Sequence, residues 1–159
     1  MSAPMNGALL TRQLIPPVTV RTAEGRIVRA WDYKQKRNLV IAFLRGDCAR
    51  CESWLAQLAA WAADLSEREA VVLAVYAEAP PRTAEMLAAP LIAATDAAGH
   101  SQRAFLGREA FGPVGLDRVG VFVADRYGEL YAQWVVPDAT GLPGAAEILS
   151  TLWQIQAAC

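Results

Sequence analysis

Two uninterrupted apolar runs, LVIAFL at residues 39–44 and AVVLAVY at residues 70–76, constrain this chain more than any other feature. Each has the length of a strand and leaves no polar position for a solvated face, so each suits a strand covered on both sides. Between them Trp54, Leu55, Leu58, Trp61, Ala62 and Leu65 fall three to four residues apart. That spacing predicts a helix from Cys51 onward with one buried face, on which both tryptophans belong to the core. A strand, a helix and a second strand imply a parallel pair with the helix packed against it.

The remaining segments extend this pattern on both sides. Pro16 and Pro17 force an extended entry into a short strand at residues 18–21, and Glu24-Gly25 turns the chain into a return strand at 27–31. Residues 1–14 are weakly patterned and read as a mobile arm ahead of a single domain over 15–159. Pro80-Pro81 opens a short helix over 82–89. A short strand at 91–94 runs to Thr95-Asp96, and a short helix follows at 99–106. Residues 107–118, with three glycines and a proline, read as a loop. Residues 119–136, turning at Arg126-Tyr127-Gly128, read as an antiparallel hairpin. A helix over 145–158 closes the chain, burying Ile148, Leu149, Leu152 and Ile155. The expected architecture is α/β: an N-terminal β-hairpin and a central mixed sheet with helices on both faces.

Composition narrows the function classes. Hydrophobic residues make up 54% of the 159 and charged residues 19%, enough apolar surface for a core without staples. No window approaches the roughly 18 uninterrupted apolar residues of a membrane span. Net charge is −1 and the densest basic cluster is KQKR at 34–37, which argues against nucleic acid as a partner. The first residues lack a basic n-region and a long apolar h-region, and three cysteines are too few for a secreted disulfide framework. The expectation is a cytoplasmic protein with no membrane partner.

The chemistry concentrates in GDCARCES, where Cys48 and Cys51 follow the first apolar run and open the helical pattern. Thiols at this spacing can close a disulfide, and the first turn of a helix favours a thiolate through its unsatisfied N–H groups and dipole. Cys48, at the helix cap, reads as the exposed nucleophile and Cys51, one turn inside, as the buried resolving thiol. Arg50 and the dipole lower the energy of a thiolate here, while Asp47 raises it. The same spacing in a loop could be half a zinc site. His100 is the only histidine, yet it falls on a later helix and a third ligand is lacking, so it reads as an exposed helix-start residue. Cys159, the last residue, reads as a free terminal thiol.

The order of elements with CxxC at the end of the first central strand resembles the thioredoxin fold. More closely it resembles the redoxin branch of alkyl hydroperoxide reductase/thiol-specific antioxidant proteins and thioredoxin-like oxidoreductases. The turn at Gly25, the block AWDYKQKRNLVIAF, the core FLRGDCARC and the hairpin FVADRYGEL carry the resemblance, with Asp96 and Gly99 matching a D-x-x-G before the third helix. It implies thiol–disulfide exchange by Cys48 and Cys51 without a metal or organic cofactor. Protein or small-molecule disulfides, or hydroperoxides, would be substrates, and a thioredoxin-type protein the electron donor.

The surroundings of the thiols depart from the family. Asp47 and Arg50 stand where thioredoxins carry Trp and Pro, Ala42 stands at the place of a buried Asp, and Val119 at that of the cis-proline. The peroxiredoxin pattern P-x-x-x-T-x-x-C is absent, with Leu44 and Cys48 in its Pro and Thr positions. Arg118 falls one residue before the position of the arginine that polarises peroxide, which Val119 takes. A thiol peroxidase and a non-catalytic binding or sensor module are therefore the alternatives.

Overall fold

The computed structural model describes residues 9–107 and 118–158. Its seven strands are β1 (Thr19–Arg21), β2 (Ile27–Arg29), β3 (Asn38–Leu44), β4 (Ala70–Tyr76), β5 (Leu91–Thr95), β6 (Val119–Ala124) and β7 (Leu130–Val136). They form one sheet in the order β2-β1-β5-β4-β3-β6-β7. The central β3, β4 and β5 run parallel, and β6, β7 and the β1–β2 hairpin add antiparallel edges. Both apolar runs take the centre because every residue of β3 and β4 is buried. The helices are α1 (Ala49–Ala59), α2 (Ala62–Glu67), α3 (Arg82–Glu85), α4 (His100–Leu106) and α5 (Ala145–Ala158).

Alternation along β3 sorts the core onto two faces. Val40, Ala42 and Leu44 point to the side covered by Trp54, Leu55 and Leu58 of α1 and by Ile148, Leu152 and Ile155 of α5. Leu39, Ile41 and Phe43 point to the other side, where Phe105 and Leu106 of α4 pack. There Phe43, Phe105 and Phe122 form a triangle with ring centroids 4.9–5.8 Å apart. Gly120 of β6 permits that packing, because a Cβ on it would lie 2.6 Å from the Leu106 side chain.

Short polar signals fix the turns. The Asp96 carboxylate accepts the Gln102 N–H at 3.0 Å, satisfying one donor of the first turn of α4, whose N-cap is Gly99. The Asp125 carboxylate accepts the N–H groups of Tyr127 and Glu129, both at 2.9 Å, and closes the β6–β7 turn at Gly128, whose φ is +83°.

Four sequence expectations change. The strand expected at 27–31 stops at Arg29, whose N–H is taken by the Asp32 carboxylate at 3.0 Å, and Ala30–Tyr33 winds into a 3-10 turn. The helix expected to continue from Cys51 breaks at Ala60-Trp61 and restarts as α2, which turns Leu65 into the core but leaves Trp61 45% exposed. Trp61 is therefore not a core residue. The helix expected at 82–89 ends at Glu85, since the chain must extend before Pro90 to enter β5. Residues 9–14, expected within the arm, run beside β7: Arg12 N–H donates to the Leu130 carbonyl at 2.7 Å, Leu130 N–H to that of Gln13 at 2.9 Å, and Leu9 is buried. The loop expected at 107–118 lies, apart from its two ends, outside the described residues, as does Cys159. No helix among the described residues is long and apolar enough to cross a membrane.

Candidate active site

The parallel strands deliver their C-terminal ends to one edge of the sheet, where crevices form in folds of this kind. From Leu44 the chain makes a four-residue turn, 45–48, and enters α1. Cys48 is the N-cap: its backbone is extended (φ −122°, ψ 103°) and its Sγ accepts the Cys51 N–H at 3.0 Å. The sulfur thus occupies the position that a Ser or Asp oxygen takes at other helix starts. Cys51 sits one turn in, fully buried against β3, while Cys48 is half-buried. The two Cα atoms are 5.2 Å apart and the two sulfurs are at disulfide distance.

Of the charges flanking the pair, Asp47 is engaged by its neighbour. The Asp47 carboxylate meets the Arg45 guanidinium at 3.3 Å, so the repulsion expected from Asp47 is offset by its neighbour. Arg50, exposed two residues from Cys48, also acts on Asp138. That exposed carboxyl is held below its usual range first by hydrogen bonds from the Thr140 hydroxyl and N–H, and further by the Arg50 charge. The Cys51 N–H and the positive end of the eleven-residue α1 favour a thiolate on Cys48, and the Arg50 charge acts in the same direction.

Trp54 anchors this helix from the other side. Its indole N–H donates to the Pro143 carbonyl at 2.7 Å in a buried contact, tying α1 to the segment before α5. Glu52 accepts the Thr83 hydroxyl at 3.0 Å and joins α1 to α3. Ala42, at the place of the family's buried carboxylate, is fully buried and pairs with Ala74 and Val121.

Val119 is buried on the α1 side of β6 at the end of the sheet where β3 finishes, since its neighbour Gly120 pairs with Phe43. Arg118 reaches the other face, where its guanidinium donates to the Leu106 carbonyl at 3.2 Å at the end of α4. The structure therefore brings Asp47, Cys48, Arg50, Cys51 and Val119 to one end of the sheet and turns Arg118 away from α1. His100 is exposed at the start of α4, across the sheet from the cysteines.

One group escaped the sequence reading. Tyr76, the last residue of β4, pairs with Leu44 and is 1% exposed on the α1 face. Among the described residues its hydroxyl finds no hydrogen-bond partner, and burial, reinforced by the Glu52 charge, pushes its pKa up to about 12. In sequence it reads as one more apolar position of a strand. Nothing local separates a Tyr that packs its ring from one whose hydroxyl lies beneath a site.

Comparison with known proteins places this geometry. The sequence profile described as the AhpC/TSA family matches residues 11–132. Among curated proteins no sequence matches. The fold superimposes on AhpC of Mycobacterium tuberculosis with a TM-score of 0.73 at 14% identity, covering 94% of each chain. Against the reduced 2-Cys peroxiredoxin of Plasmodium vivax the TM-score is 0.72 at 13% identity, over 93% of this chain and 97% of the other. A protein assigned as the thiol:disulfide interchange protein DsbE of Chlorobium tepidum gives 0.66 at 19% identity, over 94% and 98%. At these identities the likeness is one of fold.

Proposed function

The chain belongs to the AhpC/TSA family, and from that premise we propose that it is a thiol–disulfide oxidoreductase working through Cys48 and Cys51. The observation that carries the reading is the cap geometry. The half-exposed Cys48 sulfur receives a backbone N–H at a helix N-terminus, with a buried second cysteine within disulfide reach. A CxxC placed in this way has a thiolate that can attack and a neighbour that can resolve.

The reaction balances in two exchanges. The Cys48 thiolate attacks one sulfur of a substrate disulfide, forming a mixed disulfide and releasing the other substrate sulfur as thiolate. The Cys51 thiol loses its proton and attacks the Cys48 sulfur, and the second substrate thiolate leaves. Two electrons have passed to the substrate and the Cys48–Cys51 pair is oxidised. A dithiol donor of the thioredoxin type restores it by the same two steps in reverse. No metal or organic cofactor enters the scheme.

Val119 and Asp47 shape the substrate's approach differently from the family pattern. Strand β6 offers a buried valine where the family offers a proline, and Asp47 stays exposed in its pair with Arg45.

Paired single mutants test the assignment. Cys48→Ser abolishes insulin-disulfide reduction, whereas Cys51→Ser accumulates a mixed disulfide visible by mass spectrometry, because only the resolving step is lost. Wild-type turnover in both mutants would remove the pair from the active site.

A further inference from the structure

We propose that the end of the molecule opposite the cysteine pair holds a separate binding site for an aromatic carboxylate. A cavity of about 270 Å³ opens there between the segment leading into β1, the 3-10 turn after β2, the first residues of β3 and the β6–β7 turn. This approaches the few hundred Å³ of small-molecule pockets. Its walls are apolar, from Ile15, Pro16, Val18 and Leu39, with the half-buried Tyr33 beside them. β3 separates it from Cys48 by the length of a seven-residue strand, about 20 Å, so the two sites do not overlap.

Charge and exposed rings at the rim define the ligand. Among the described residues Arg29, Lys34 and Arg37 border the cavity, with Arg126 beside them, against one carboxylate, Asp125. Asp125 is turned inward, accepting the backbone N–H groups of Tyr127 and Glu129. Asp32, just outside, accepts the Arg29 N–H, and Glu129 pairs with Arg12 at 2.5 Å. The field at the mouth is therefore positive.

Trp31 borders the cavity while remaining 71% exposed, and the Lys34 ammonium lies 4.2 Å from its ring centroid. Tyr127, half exposed, lines the opposite side with the Arg126 guanidinium 5.8 Å from its ring. Each residue thus keeps half or more of its surface exposed while a cation lies against its ring. An aromatic ligand body gains stacking from such rings and apolar contact from the walls, while its carboxylate meets the cations. A compact inorganic anion would leave the apolar walls uncovered, and a neutral hydrocarbon would leave the cations unused.

The test is an amide NMR titration of the intact protein in its oxidised form, with 4-phenylbutyrate as the probe and 4-phenylbutanamide as its uncharged counterpart. The expected result is saturable shifts confined to residues 14–19, 31–39 and 125–128. The dissociation constant should be on the order of 1 mM or tighter, which about a dozen ligand atoms give at ordinary efficiency. The amide should bind roughly ten-fold more weakly, the weight of one charge-assisted hydrogen bond. Charge reversal at the exposed Lys34 and Arg37 (K34E/R37E) should weaken the acid by at least that factor and the amide by a smaller one. Shifts that fail to saturate, that centre on Cys48, or that are equal for acid and amide would each overturn the proposal. So would a K34E/R37E variant that binds the acid as the parent protein does.

Discussion

The two ends of β3 are built on opposite plans. At the Leu44 end the reacting atoms belong to one short segment, and a helix cap within that segment places them. At the Asn38 end no cysteine is among the described lining residues, and the cavity exists only because segments more than a hundred residues apart meet around Leu39. The first site is local and the second is assembled. Damage to packing should therefore erode the cavity before the cap, while changes to single atoms should silence the cap and leave the cavity intact.

The largest effect expected is the loss of exchange in Cys48→Ala, to the uncatalysed background. K34E/R37E at the far end should keep wild-type exchange in the same insulin assay. A parallel loss in that variant would show that the ends are coupled and break the contrast.

Next in size is the preference for disulfide over peroxide. Charge builds on the peroxide oxygens as the O–O bond breaks, and donors held around them carry the catalysis. Here Val119 offers none, and Arg118 is engaged at the Leu106 carbonyl. Missing one such donor costs on the order of 10²–10³ in rate. Stopped-flow oxidation of the reduced protein by hydrogen peroxide should be slow and non-saturating. Fast, saturating thiol loss at micromolar peroxide would make the peroxidase the better reading.

A smaller effect tests what the cap borrows from distant packing. Trp54→Phe keeps most of the apolar contact and strands the buried Pro143 carbonyl, at a cost of about 1–3 kcal/mol. Urea unfolding should register that loss, with the Cys48–Cys51 disulfide still forming. Failure of the disulfide to form would mean that the cap depends on the Trp54 anchor.

The smallest effect concerns Tyr76. Its buried hydroxyl has no partner among the described residues, so Tyr76→Phe should be neutral or stabilising by up to about 1 kcal/mol near pH 7. The alkaline limb gives the sign. With its folded pKa raised to about 12, the group's contribution is fully present below the unfolded value near 10 and lost as pH rises toward 12. The Phe variant should thus lose less stability than the wild type between those values. A destabilisation above about 1 kcal/mol at pH 7 would reveal a partner for the hydroxyl.

Legibility in the sequence divides along the same line. β3, β4 and α5 were readable because an apolar run of strand length, or a 3.6-residue period, is a signal contained within the element. The cap cysteines were readable for the same reason, since Cys48 and Cys51 lie within one turn. Trp61 misled because the apolar stripe continues through a helix break that no glycine or proline marks. The end of β2 was hidden in a single side-chain bond from Asp32. In the site, the pairing of Arg45 with Asp47, the field of Arg50 on Asp138 and the hold of Pro143 on Trp54 are choices of partner. Periodicity does not encode these. Tyr76 was missed because its role follows from what its hydroxyl fails to reach.

The central claim is that Cys48 and Cys51 cycle between dithiol and disulfide. Equilibration of the protein in glutathione redox buffers, with both states quantified after thiol trapping, tests it most directly. The account predicts a reversible two-electron transition with a midpoint between about −270 and −120 mV, the range of exchanging dithiol proteins. A pair that forms no disulfide at any buffer ratio would contradict it, as would one that stays oxidised below about −300 mV like a structural staple.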